Sequence, residues 1–163
     1  MKMSELRKKT CCFTGHRNIP KEREKEIAAQ TAREVYRLVT AYGVRYFGIG
    51  GAVGYDTLAA KVLFWLRENA FPDIKIILVY PFDGFTARWA PQQQEQFALL
   101  LPKYDKIVCV CSAASREAYL KRNRHLVDAS AYCIAYCTQQ YGGTAYTAAY
   151  AKAQGLAVIE VGK

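Results

Sequence analysis

Three glycine-containing turns carry most of the residues in this chain that are suited to chemistry. Tyr141-Gly142-Gly143-Thr144 follows the apolar run Ala131 to Tyr136 and opens the alanine-rich run Ala145 to Ala153, a strand, turn and helix in succession. Such a turn leaves backbone N–H groups at a helix N-terminus, with the positive end of the helix dipole behind them. It therefore suits an anion, most often phosphate. Gly50-Gly51-Ala52-Val53-Gly54 repeats the layout earlier in the chain, and Gly15-His16-Arg17 closes another apolar run. The glycines admit positive φ and let a ligand approach the backbone closely. Arg17 is suited to clamp a phosphate in its planar fork. His16 is suited to hydrogen-bond a phosphate or sugar, or to cap a helix. Asp56 falls in the first turn of the helix after Gly54. It can oppose the helix dipole or accept a hydrogen bond from ribose hydroxyls.

Several familiar chemistries lack their signatures. Gly48 and Gly50 begin a G-x-G, but the third glycine position of the dinucleotide fingerprint holds Val53. No Gly-Lys-Ser/Thr occurs, so there is no phosphate loop of the nucleotide-triphosphatase type. Cys11, Cys12, Cys109, Cys111, Cys133 and Cys137 include no C-x-x-C pair and lie in apolar strand-like runs. They read as small buried hydrophobes in a reducing cytosol, and no metal is assigned. Phe82, Phe85 and Trp89 could wall a base, with loop packing the simpler reading. Arg116, Arg122 and Arg124 read from spacing alone as a solvated basic face. Gln92 to Gln96 reads as a polar helix face.

The elements that position the turns follow from periodicity. Thr10 to Thr14, Tyr46 to Ile49, Ile74 to Tyr80, Lys106 to Cys111, Tyr132 to Tyr136 and Leu156 to Val161 read as strands. The intervening segments repeat apolar residues at helical spacing. One begins after Pro20, carries Ile27, Thr31, Val35, Leu38 and Tyr42, and is capped by Gly43. Others run from Leu58 to Leu66, from about Trp89 to Leu101, from Ala118 to Val127, and from the Gly143 turn to Gly155. Ile74 to Tyr80 is almost continuously apolar, as expected of a strand covered on both faces. Strict alternation predicts an α/β, Rossmann-like three-layer domain, a parallel sheet with helices on both faces. An order 3-2-1-4-5 would make the ends of strands one, two, four and five neighbours. Gly15 to Arg17, Gly50 to Gly54, Ser112 to Ser115 and Tyr141 to Thr144 would then meet at the switch in strand order, where such sheets bind ligands.

With 163 residues, 52% of them hydrophobic, the chain suffices for one domain and a proper core. Residues 1–9 read as a basic tail and 10–163 as the domain. No apolar run is long enough to span a bilayer, and no signal peptide is read, so the expected location is cytoplasmic. The net charge of +9 suits a small anionic ligand, and nucleic acid less directly, since there is no zinc-finger spacing or aromatic-interleaved basic helix. The residues leave the oligomeric state open and are compatible with a homo-oligomer.

Four segments together resemble the YpsA-like family of the SLOG superfamily. They are Thr14-Gly15-His16-Arg17 with Pro20, Gly51-Ala52-Val53-Gly54-Tyr55-Asp56, Lys121-Arg122-Asn123-Arg124 with Val127-Asp128, and Gly142-Gly143-Thr144 with its alanine-rich helix. The resemblance implies a Rossmann-like domain for a nucleotide or nucleotide-derived ligand, such as a nucleoside phosphate or an ADP-ribose-like compound. It adds Arg122 and Asn123 to the candidate site. Related LOG-type phosphoribohydrolases carry P-G-G-x-G-T-x-x-E with a catalytic Glu, and alignment on Thr144 puts Thr147 at that position. DprA-like relatives bind single-stranded DNA. The leading expectation is binding or sensing of a nucleotide-like ligand, with no required cofactor and no catalytic residue assigned. The alternatives are a nucleoside-phosphate N-glycosidase and a single-stranded nucleic-acid binder.

Overall fold

A computed structural model describes residues 3–163. Six parallel strands form one sheet: β1 (Thr10–Gly15), β2 (Tyr46–Ile49), β3 (Lys75–Tyr80), β4 (Lys106–Cys109), β5 (Tyr132–Tyr136) and β6 (Ala157–Glu160). The helices are α1 (Met3–Lys8), α2 (Glu24–Tyr42), α3 (Tyr55–Asn69), α4 (Pro91–Leu100), α5 (Arg116–Asp128) and α6 (Gly143–Ala153). The expected α/β sandwich is therefore present.

The sheet order is β4-β3-β2-β1-β5-β6, which corrects the expected 3-2-1-4-5. The chain steps outward from β1 to β4 with α2, α3 and α4 as crossovers, then returns through α5 to place β5 beside β1. Right-handed crossovers in opposite directions must lie on opposite faces. The core divides accordingly. Cys11, Phe13, Phe47, Ile49 and Ile76 pack under α2 and α3, while Cys12, Val79 and Cys133 pack under α5 and α6. Alternation along β1 sends Cys11 and Cys12 to different faces. Ile76 and Ile77 divide β3 in the same way, which is why that strand is apolar throughout.

Local signals place most element ends. Gly43 caps α2 with φ 68° in the left-handed region, and Ile27, Thr31, Val35 and Leu38 are its buried stripe. Tyr42, expected on that stripe, is exposed instead. Pro20 precedes a short 3-10 turn, Lys21–Arg23, before α2 begins. The described part of the basic tail is helical: α1 is tied down by Arg7 Nε donating to the Ser130 carbonyl at 3.0 Å and by Thr10 Oγ1 donating to Leu6 O at 2.6 Å.

The cysteines do not behave alike. Cys11, Cys12 and Cys133 are core residues, but Cys109 is exposed and Cys111 and Cys137 are half-buried, because β4 is an edge strand and the other two lie beyond strand ends. The glutamine run also differs from a simple polar face. Gln94 Nε2 donates to the carbonyls of Thr86, Ala87 and Trp89, latching α4 onto the loop before it. In that loop Phe85 stacks on Tyr80 at 5.5 Å and meets Trp89 and Phe97 edge-on, so the aromatics pack one another.

Candidate functional site at the carboxyl ends of β1 and β5

The order switch lies between β1 and β5, and a cleft of about 320 Å³ opens above it. It is lined by Gly15, His16 and Arg17 from the end of β1 and by Ala52 and Asp56 around the start of α3. Tyr119, Arg122 and Asn123 come from α5, and Gly143 and Thr144 from the start of α6. Of the candidate ligand-binding residues, Gly15, His16, Arg17, Asp56, Arg122, Asn123, Gly143 and Thr144 thus face one space. Gly50, Gly51, Gly54 and Gly142 do not line it.

Those four glycines act from behind or at the rim. Gly50 is the point on which two buried charges converge. A methyl group built there would stand 2.8 Å from an Arg122 guanidinium nitrogen and 3.0 Å from Asp56 Oδ2. Gly51 is buried against Leu78, Phe97 and Phe85. Gly54, at φ 82°, presses on the backbone of Arg17 with no room for a Cβ. Gly142, at φ 93°, is the exposed residue preceding α6. From Gly143 on, the first N–H groups of α6 have no carbonyl in a preceding helical turn to accept them.

Arg122 is 5% exposed, so the basic-face reading fails for this residue. Its position on α5 turns it inward between Ala118 and Leu126, both buried at four-residue spacing. Its Nη1 donates to the carbonyl of Gly50 and its Nε to Asn123 Oδ1 at 2.8 Å. Nη2 donates to no group among the described residues. Burial pulls the guanidinium below its ordinary value, and Asp56 opposes that shift. Burial likewise pushes the Asp56 carboxyl above its ordinary range, opposed by Arg122, by the Ala52 N–H and by Arg17. Each charge offsets part of the other's desolvation. They form no direct ion pair, since none of the four ion pairs among the described residues joins them.

Asp56 does oppose the α3 dipole, and it also shapes the turn: Oδ2 accepts the Ala52 N–H at 3.1 Å. His16 has a structural partner too. Its Nε2 accepts the Thr138 N–H at 2.8 Å, tying the end of β1 to the loop that leads into α6. Burial lowers its pKa from the ordinary value, in keeping with a neutral acceptor nitrogen. Arg17 is exposed, with its guanidinium 5.9 Å from the Tyr119 ring centroid. That of Arg122 is 5.8 Å from the same ring. The sequence reading missed Tyr119. Its signal was its place three residues before Arg122, one turn back on the same face of α5.

One expected neighbour is elsewhere. Ser112 to Ser115 follow β4, at the sheet edge, and Ser115 serves as the cap of α5 by accepting the Ala118 N–H at 3.1 Å. Thr147 is buried and donates Oγ1 to Gly143 O at 3.0 Å, inside its own helix. No group of three or more His, Cys, Asp or Glu among the described residues could hold a metal ion. No helix among them is long and apolar enough to cross a membrane.

The fold recurs in solved structures. DNA processing protein A (DprA) from Streptococcus pneumoniae superposes with a TM-score of 0.65 at 15% identity, covering 95% of this chain and 50% of that one. DprA from Helicobacter pylori, whose structure concerns its single-stranded DNA binding mode, gives 0.62 at 17% identity over 97% of this chain and 66% of that one. In sequence, a UPF0398 protein of Shouchella clausii is 30% identical over 114 residues, 68% of this chain and 61% of the relative. A UPF0398 protein of Staphylococcus epidermidis is 29% identical over 107 residues, 60% of this chain and 54% of the relative. The chain thus spans between half and two thirds of the length of these two relatives. Residues 11–157, nearly the whole sheet and its helices, match the family model YpsA (YspA SLOG family). The chain belongs to the YpsA family of SLOG proteins.

Proposed function

We propose that the cleft between β1 and β5 binds a nucleotide or nucleotide-derived anion, and that the protein acts by holding or sensing this ligand. The observation that carries the reading is Arg122: a buried guanidinium with two nitrogens fixed by Gly50 and Asn123 and a third left free beside the cleft. A preorganised, partly desolvated cation of this kind recognises phosphate oxygens in a fixed geometry. The start of α6 supplies backbone donors on the other side, and Arg17 an exposed second cation. Asp56 has one carboxylate oxygen on Ala52, and the other is available to a sugar hydroxyl. Tyr119 offers a ring face for a base.

Binding is favoured over cleavage. The position where a phosphoribohydrolase relative has its Glu holds Thr147, whose hydroxyl is consumed within α6. Thermal denaturation with AMP, ADP-ribose and inorganic phosphate tests the reading. A ligand at a hundredfold excess over its Kd adds about 2.7 kcal/mol of stability. Stabilisation by a nucleotide that Arg122→Lys and Arg17→Ala abolish is the expected result. No stabilisation by any nucleotide would sink it.

A second reading is single-stranded nucleic acid in the same region, favoured by the net charge of +9 and the likeness to DprA. It predicts oligonucleotide binding that weakens steeply with salt. Absence of binding at low salt removes it.

A further inference from the structure

A second, larger depression of about 590 Å³ lies on the outer side of the Gly54 turn, between α2, α3 and α4. Arg17 lines both this groove and the cleft. The backbones of Arg17 and Gly54 meet closely there, because Gly54 lacks the Cβ that would collide with Arg17. The groove has half-buried Leu58 and Val62 among its lining, with Lys25 from α2 and Lys61 from α3 also present and Gln92 and Gln96 contributed by α4. Neither lysine makes an ion pair among the described residues. Glu24 is the only acid in the lining, against Arg17, Lys25 and Lys61.

We infer that the ligand site continues past Arg17 into this groove, which holds a second phosphate-bearing unit of the ligand. The inference rests on the nucleotide reading of the first cleft. That cleft sits near the lower end of the roughly 300–1,000 Å³ range of ligand pockets and has room for one nucleotide-sized unit. The groove pairs an apolar surface, suited to a sugar or base face, with amides for its hydroxyls and two free ammonium groups for a phosphate. Arg17, shared by both spaces, meets the linkage between the units. The shared chemistry is a two-unit phosphate ligand, joined by a pyrophosphate as in ADP-ribose or by a phosphodiester as at the 5′ end of a strand.

Calorimetric titration of AMP, ADP-ribose and the 5′-phosphorylated dinucleotide pApA, at about 0.15 M salt, tests this and separates the two sources. One two-unit probe is expected to bind about tenfold tighter than AMP, and the double variant Lys25→Ala/Lys61→Ala to bring that ratio back to about one. The groove assignment is overturned if AMP binds as tightly as both larger probes. It is also overturned if the double variant leaves the ratio intact or weakens all three probes equally, which would mean a diffuse field. Binding by none of the three would instead remove the nucleotide reading itself, and the groove with it.

Discussion

Arg122 on α5 donates to the carbonyl of Gly50 at the end of β2, a buried bond behind the cleft that joins two residues 72 positions apart. Gly50 can accept this contact only because it has no side chain, and Asp56 crowds the same position that a side chain would need. One backbone carbonyl therefore holds the site's buried cation in place. Replacing Arg122 with Ala should remove two charge-assisted bonds, each with a net worth of about 1.5–3 kcal/mol. Urea denaturation should show a loss within or above that range. Arg122→Lys should recover part of the stability but not the nucleotide response, since an ammonium cannot bond Gly50, Asn123 and a ligand in one plane.

Gly54 carries a separate structural demand. Gly54→Ala must pay for positive φ and for a collision with the Arg17 backbone. Gly43 also has positive φ, at 68°, but nothing lies within 4 Å of a Cβ there. Gly43→Ala should cost about 1 kcal/mol, the strain of a left-handed alanine. Gly54→Ala should cost clearly more and also weaken ligand binding through displacement of Arg17. Equal costs in denaturation would show that the Arg17 contact is not tight.

His16 should make stability depend on pH. Its folded pKa is lowered by burial below the ordinary 6.5, so the unfolded chain binds the proton more readily. Its contribution is fully present above the unfolded pKa and is lost as pH falls through that value toward the folded one. Asp56 has the opposite sign: its pKa is raised, so its contribution is present below the unfolded value of 3.8 and lost as pH rises through the folded one. The difference between wild type and His16→Gln isolates the histidine. Unfolding free energies at about pH 7.5 and about pH 5 should converge on acidification, as the Thr138 latch protonates. Parallel profiles would mean the latch does not form.

Thr147 should be silent in binding. Thr147→Val keeps the shape and removes one hydroxyl bond to Gly143 O, at a cost of about 1 kcal/mol. The nucleotide-induced thermal shift should be unchanged in this variant. A lost shift would place Thr147 in the site after all.

Much of this protein is legible in its sequence because the signals are local. The strict alternation of strand and helix and the apolar stripe of α2 follow from the nearest few residues, as does the Gly43 cap. So does the doubly covered character of β3. The three glycine turns mark strand ends for the same reason. What tertiary structure decided is long-range. The return of the chain through α5 to β5, rather than to a strand four beside β1, depends on which edges pair, and no local pattern records that. Nor does periodicity distinguish Arg122 from its neighbours Arg116 and Arg124. Only the packing of α5 against β1 and β3 puts that guanidinium inside, with Gly50 to accept it. His16 likewise finds its partner 122 residues away. The sequence alone determined that anion-suited turns would lie at strand ends. Strand order and helix docking decided which of those turns share one cleft, because both arise from contacts between segments the chain separates widely.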